Sequence, residues 1–316
     1  MKGRDKLHAP GRYATTKLAN GLATGGKMTV DSAYRMMGAS KTLGSKLKTR
    51  EFLKKTDADV EDLSSTEQRR LGRLTARADG GRVDLDADVA KLGAKHDLDT
   101  QTVARLQRLT DAGEIDNAAR QRLDELLDEG EMDSDDVQMF AQALELKDQS
   151  AYLDSDLDAN NVLSVGKKGD LSEARVIVKV DSDVRWMEEG DIDGGWEHIV
   201  ARHIEGEHEM GDTGGSGIFP TGETVKGQEM PETMSNKDVK RLVFNSLKDG
   251  DASPHGQKTK YYFEPSTNGY PSSGIDSMRV LVYPDGSVET AFPLSGPKVM
   301  RYVPGLNGGK GGFVNP

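Results

Sequence analysis

Histidine, arginine and tryptophan crowd into one stretch of the chain, Gly194 to Gly211, GGWEHIVARHIEGEHEMG. His198, His203 and His208 are three of the six histidines, and Trp196 is one of the two tryptophans. Imidazole titrates near neutral pH and can take or give a proton there. Arginine clamps phosphate oxygens through paired N–H donors. Three kinds of role are open to such a set. A metal site needs ligands that converge from one helix face. His198 and His203 are five residues apart, about 140° around a helix, which differs from the i, i+4 pair of H-E-x-x-H zinc helices, and the chain has no cysteine to help. A packing role would set one imidazole against Trp196 and leave the others at the surface; His208, in the loop after the helical pattern, fits that role best. The third is metal-free phosphodiester chemistry. His198 and Arg202 are i, i+4 and share a face, with His203 on the flank. Cleaving RNA through its own 2′-OH needs a base, an acid for the leaving 5′ oxygen and fixed positive charge for the transition state. It needs no protein nucleophile, in keeping with a chain that has neither cysteine nor a G-x-S-x-G elbow.

These residues need elements to hold them. Trp196 to Ile204 has the pattern of a helix, with Asp193 or Gly194 near its cap, and a Gly-rich loop follows, MGDTGGSGIFPTGE. Ser235 to Leu247 predicts a second helix: Ser235 caps it, Asp238 completes an acidic capping box, and Val239, Leu242, Val243 and Leu247 form its apolar face. Ala174–Val180 is β-branched and alternates, as a strand or an ordered lead-in would. Strand-like runs follow at Thr259–Phe263, Ser277–Tyr283, Ser287–Phe292 and Lys298–Val303, with Pro284-Asp285-Gly286 as the turn between the middle two. The expected fold of residues 173–305 is therefore α+β, helices followed by a four-stranded antiparallel sheet, with a flexible tail at 306–316.

Upstream, residues 56–150 read as an all-α bundle or array of short helices. An apolar residue followed by a cap recurs at Leu63-Ser64, Val83-Asp84, Leu98-Asp99, Ile115-Asp116 and Met132-Asp133. Ser64 and Glu67 make a capping box, Met132 can staple onto Val137, and Gly113 and Gly130 suit helix ends. Residues 151–172 read as a linker. Asp154, Asp156, Asp158 and Asn160 imitate the start of a calcium loop, but Ala159 and Val165 stand where glycine and glutamate are needed, so no calcium is expected. Residues 1–55 form a basic, largely flexible leader suited to delivery or export. It carries 13 Lys and Arg against 3 Asp and Glu, whereas 56–172 carries 14 against 28 and 173–316 carries 15 against 22. At 316 residues the chain allows about two domains. No apolar run reaches the roughly 20 residues that span a bilayer, and the N-terminus lacks a signal-peptide core. A protein made in the cytoplasm and delivered by a non-classical route is the expectation. Its acidic balance argues against a general nucleic-acid binder, though not against a nuclease with a local basic site. Such a site would need Arg202, Lys240, Arg241, Lys260, Arg279 and Lys298 to converge.

The pattern W-x-H-I-x-x-R-H, a Gly-rich loop ending in Phe, a short amphipathic helix and V-x-V…G-x-V-x-T-A-F-P resembles the barnase–EndoU–colicin–RelE group of ribonuclease toxins. The resemblance covers about Trp186 to Val303 and none of residues 1–172. It implies a metal-independent, cofactor-free endoribonuclease, with its site across the sheet, at the C-terminal end of a toxin or effector. Carried over by position, His198 is the general base, assisted by Arg202 and His203. Arg279 supplies a phosphate-binding cation and Thr290 a hydroxyl that orients the substrate. Tyr261 or Tyr262 is the candidate for an aromatic role, although neither matches a motif of the group, and Lys240 and Arg241 on the second helix are open to RNA backbone binding or to a solvated face. RNA, with tRNA foremost, and an immunity protein are the implied partners. Two other functions stay open: a non-enzymatic structural or adaptor component of a virion or secretion system, and a metal-dependent nuclease using His198, His203 and nearby acids.

Overall fold

A computed structural model describes residues 66, 70, 85–206 and 216–316. The basic leader, the Ser64–Glu67 capping box, the Val83-Asp84 step and His208 lie outside them. The chain divides into two compact units, Met1–Ala141 and Gln142–Pro316, here named the helical unit and the sheet unit. It is an α+β protein, with helices in the described part of the N-terminal half and antiparallel sheets in the C-terminal part. No described helix is long and apolar enough to cross a membrane.

Four helices follow one another: α1 (Ala87–Lys95), α2 (Thr100–Asp111), α3 (Asn117–Glu129) and α4 (Ser134–Leu146). Asp86, Asp99 and Asp116 cap the first three by accepting N–H bonds from the opening turn. Asp133 does the same for α4 through the N–H groups of Asp135 and Asp136. Each cap satisfies donors that have no partner within the helix. Met132 and Val137, on either side of the last cap, are both buried, as are Leu92, Val103, Leu106, Leu123, Leu126 and Phe140. The boundary between units falls inside α4, ahead of the position where composition had put it.

The expected linker, 151–172, is corrected by the structure: it contains α5 (Ala159–Lys168). Asp158 caps this helix in a reciprocal capping box with Asn161, and Val162, Leu163 and Val165 are buried. The calcium-like aspartates serve the fold. Asp154, 1% exposed, accepts the N–H groups of Asp156 at 3.1 Å and Lys179 at 3.2 Å and the Lys248 ammonium at 2.5 Å.

Next come the hairpin β1 (Ala174–Val180) and β2 (Asp183–Glu188), helix α6 (Gly195–His203), the short pair β3 (Thr224–Val225) and β4 (Gln228–Glu229), and helix α7 (Asn236–Asp249). Helix α7 carries the expected Ser235–Asp238 capping box. A four-stranded antiparallel sheet runs in the order β5 (Asp251–His255), β6 (Lys258–Phe263), β7 (Ser277–Val282), β8 (Val288–Ser295). Two expectations change here. The strand at Asp251–His255 was not foreseen. The run near Lys298–Val303 does not join the sheet: β9 (Arg301–Val303) pairs instead with β10 (Gly312–Val314), inside the tail expected to be flexible. The Asn315 amide anchors that tail on the carbonyls of Gly296 and Val299.

Register sorts the sheet into two faces. Tyr261, Phe263, Met278, Val280, Val282, Val288 and Ala291 share one core with Val239, Leu242, Val243 and Leu247 of α7 and with Trp196 and Ile199 of α6. The alternate residues form rows on the opposite, polar face: Tyr262–Arg279–Phe292 and Lys260–Leu281–Thr290. Gly286 in the hairpin turn before β8 has φ +112°, and a Cβ there would lie 2.6 Å from the Trp186 ring, so only glycine lets β2 approach the turn. The Asp154 carboxylate joins the approach to α5, β1 and the end of α7. Asp154→Ala removes a buried acceptor from two backbone donors and a lysine, and is expected to destabilise the protein by about 1–3 kcal/mol. An unchanged urea midpoint would remove Asp154 from this role.

Candidate active site

Helix α6 starts from a tight loop. Gly195 has φ +84°, and a Cβ there would lie 2.9 Å from the Glu188 carbonyl oxygen and 3.0 Å from Gly190 Cα. The Asp191 N–H donates to Gly194 O at 3.0 Å and the Glu197 N–H to Glu189 O at 2.8 Å. The turn so closed brings the Ile192 carbonyl to 2.6 Å from His198 Nδ1. A carbonyl only accepts, so Nδ1 is the donor, and in the neutral tautomer the lone pair lies on Nε2. His198 is 6% exposed, and among the described residues nothing hydrogen-bonds to Nε2.

His203 closes the same helix and is 3% exposed. Its Nδ1 donates to Gly217 O at 3.3 Å. Its ring centroid lies 6.1 Å from that of His198 and 5.2 Å from that of Phe292. Burial, then the Arg202 charge, then His198 push its pKa down to about 3, against the opposing bond to Gly217. His203 is therefore neutral at physiological pH. The Arg279 guanidinium carbon stands 5.9 Å from the Phe292 ring centroid, within cation–π range of about 6 Å. Neither Arg279 nor Lys260 has a carboxylate partner among the described residues.

At the other end of α6, a Cβ on Gly194 would lie 3.6 Å from the Tyr283 ring and 3.8 Å from Glu289 Cα. Helix α6 thus runs beside β8 from Glu289 to Phe292, with His198 between. Thr290 lies on that span, 6% exposed, and its hydroxyl has no hydrogen-bond partner. Buried polar groups are nearly always paired, so this orphan hydroxyl at the flank of α6 is an acceptor and donor in reserve.

The structure therefore gathers His198, His203 and Arg279 around Phe292, sets Thr290 two residues from Phe292 along β8, and keeps Arg202 close enough to His203 to oppose its protonation. It does not gather the other predicted residues. Tyr261 points into the core, 2% exposed, where its hydroxyl accepts from Arg185 Nε at 3.2 Å. Strand alternation gives the polar face to Tyr262 instead, a correction of the choice between the two tyrosines. Lys240 is corrected as well: it belongs to α7, on the core side of the sheet, with its ammonium 4.4 Å from the centre of the Trp196 ring. Burial pushes its pKa down, with Glu189 opposing and Arg175 reinforcing. Arg241, on the same helix, is exposed away from the polar face, and Lys298 lies beside Gly274. Phe292 is the participant that sequence reasoning missed as a site residue, although it stands inside the T-A-F-P run that drew attention to Thr290.

Among the described residues, one grouping has metal-ligand spacing, His96, Asp124 and Asp128 of the helical unit. Lys95 already lies 2.8 and 2.6 Å from the two carboxylates, and His96 Nε2 lies 2.6 Å from Asp124. Burial works to raise the Asp124 pKa, but the bonds from Lys95 and His96 win and hold it below the usual carboxylate range. Compared with family models, curated proteins and solved structures, the chain matches none.

His203 makes stability depend on pH. In the fold it stays neutral down to about pH 3, whereas in the unfolded chain it takes a proton below its ordinary value of 6.5. Between those values the unfolded state binds more protons, so stability falls as the pH falls. His203→Phe is expected to flatten this part of the profile, measured as urea midpoints from pH 7 to pH 4. An identical slope in the variant would mean that His203 is protonated in the fold.

Proposed function

We propose that the sheet unit is a metal-independent endoribonuclease, the catalytic part of a toxin or effector. It cleaves RNA by 2′-OH attack, leaving a 2′,3′-cyclic phosphate and a 5′-hydroxyl, with tRNA or another structured RNA as substrate and an immunity protein as its protective partner. The observation that carries this reading is the run of contacts from His198 through His203 and Phe292 to Arg279. It sets a lone-pair imidazole nitrogen and a guanidinium without a carboxylate partner among the described residues at the two ends of one short path.

The steps divide among these residues. His198 Nε2 takes the proton of the 2′-OH as O2′ bonds to phosphorus, the O5′–phosphorus bond breaks, and the departing 5′ oxygen takes a proton from solvent. His198 then returns its own proton to solvent. Arg279, with Lys260 in the neighbouring row, meets the charge that builds on the phosphate oxygens. Thr290, whose hydroxyl is buried, backs the site at the flank of α6 and does not touch the phosphate. His203 is too weak a base to shuttle protons near pH 7; it wedges α6 against Phe292 and so positions His198. The charge of Arg202 supports the anion from the helix side.

Incubating the full chain with total RNA in EDTA tests this. Cleavage that yields cyclic-phosphate ends and drops by about 10²–10⁴ in His198→Ala, the range of general acid–base catalysis, is the expected result. Arg279→Ala should also lose rate, and Arg279→Lys should keep part of it. Cleavage only after metal is added back would move the assignment to a metal-dependent nuclease. Cleavage under neither condition would leave an adaptor role.

A further inference from the structure

The polar face carries one aromatic ring that the fold does not use. Phe292 packs against the His203 ring and is approached by the Arg279 guanidinium. Tyr283 lies under the Lys258 ammonium, 4.8 Å from its ring centroid, and Tyr270 is half-buried with its hydroxyl bound to Asn245. Tyr262 differs: at 37% exposure it is the one aromatic among the exposed large apolar side chains of the described residues. Its hydroxyl makes a long contact of 3.4 Å to Glu264. In register beside it stands Arg279, without a carboxylate partner among the described residues, and Lys260 sits two residues along its own strand. On the other side its register partner is the acid Asp251, which repels a phosphate and leaves the Arg279 side as the place for one.

From this juxtaposition we infer that Tyr262 is a base-stacking platform and that the site takes its RNA as an unpaired, single-stranded segment. The inference rests on the ribonuclease reading above and names its substrate class. An exposed ring in register with a guanidinium offers a nucleobase a π-face while the adjoining phosphate reaches the cation. This is the combination by which proteins hold single strands without reading their sequence. A paired duplex cannot use it, because its bases are stacked on one another and present only their edges. A structured RNA would accordingly be engaged at a loop. Cleavage by in-line attack has the same requirement, since the 2′-OH, phosphorus and leaving oxygen must align in a backbone that is not held in a helix.

The test measures binding apart from catalysis. A fluorescent 2′-O-methyl oligonucleotide has no 2′-OH to attack, so its affinity for the full chain reports the platform alone. The wild-type protein should bind the single strand at least tenfold more tightly than the same strand annealed to its complement. Tyr262→Ala should weaken single-strand binding by about tenfold, the loss of one stacked base, and leave duplex binding unchanged. Tyr262→Trp should bind as well as wild type or better. Because Tyr262 is exposed, circular dichroism and the urea midpoint of the alanine variant should match wild type. Equal single-strand affinity in wild type and Tyr262→Ala, or equal affinity of wild type for strand and duplex, would overturn the inference. If RNA is still cut in EDTA in a His198-dependent way, the ribonuclease reading survives that failure. If the wild-type protein neither binds nor cuts RNA, both fall together.

Discussion

Strands β6, β7 and β8 must each give every second side chain to the core beneath α7. That requirement decides where the chemistry lies. Val280 and Ala291 go inward with Tyr261, so their neighbours Arg279, Phe292 and Tyr262 go outward. Shifting β7 by a single residue would bury Arg279 and expose Val280 and Val282, and the core would resist such a slip. A cation on the polar face is thus held in place by apolar residues that never touch a substrate. Helix α7 adds nothing to that face. Its half-buried Lys240 and exposed Arg241 lie on the core side, separated from Arg279 by the thickness of the sheet.

The histidines obey a different constraint, which comes from the glycine loop. Gly190 and Gly195 allow the 189–195 turn to close so tightly that the Ile192 carbonyl meets His198 Nδ1. With that nitrogen committed as donor, the basic nitrogen is the other one, and the direction of its lone pair follows from the helix. His203 shows the opposite use of the same side chain. Complete burial beside Arg202 makes protonation too costly near neutral pH, so its ring works as a polarisable filler between α6 and Phe292. Two imidazoles on one short helix therefore differ in role because of what surrounds them, as the general relation between environment and proton affinity requires.

What could be read in the sequence was local chemistry. The aspartates at 99, 116 and 133 are caps because an aspartate ahead of a helical pattern satisfies its own neighbours' N–H groups. The Ser235–Asp238 box and the Pro284-Asp285-Gly286 turn depend equally on residues a few positions apart. Reading failed where the partner was distant. Asp251–His255, DASPH, has no alternation and contains a proline; it is a strand only because β6 pairs with it, and as an edge strand it need not bury either face. The run at 151–172 reads as a linker because its aspartates look solvated, yet the acceptors of Asp154 are matched to donors from β1 and α7. Tyr261 and Tyr262 are identical as residue types, and one step of strand phase separates a core tyrosine from a surface one. The same phase separates Lys240 from the site, since helical spacing alone does not tell which side of a sheet a helix covers.

An anionic substrate and an acidic protein form the remaining tension. Residues 173–316 carry 22 Asp and Glu against 15 Lys and Arg, so the long-range field of this part of the chain repels RNA. At physiological salt, however, exposed charges act over about 8 Å. Within that reach, the two cations on the outer rows of β6 and β7 answer to their immediate neighbours more than to the total. Several acids are moreover spent in pairs: Glu289 with Lys258, Glu189 with Arg175 and Asp183 with Arg185. Arg279 and Lys260 are left outside such pairs, and Thr290 holds a hydroxyl that the core has not used. Attraction in this arrangement is earned at contact rather than at a distance, which suits a site that meets one phosphate and one base more than a groove that tracks a long backbone.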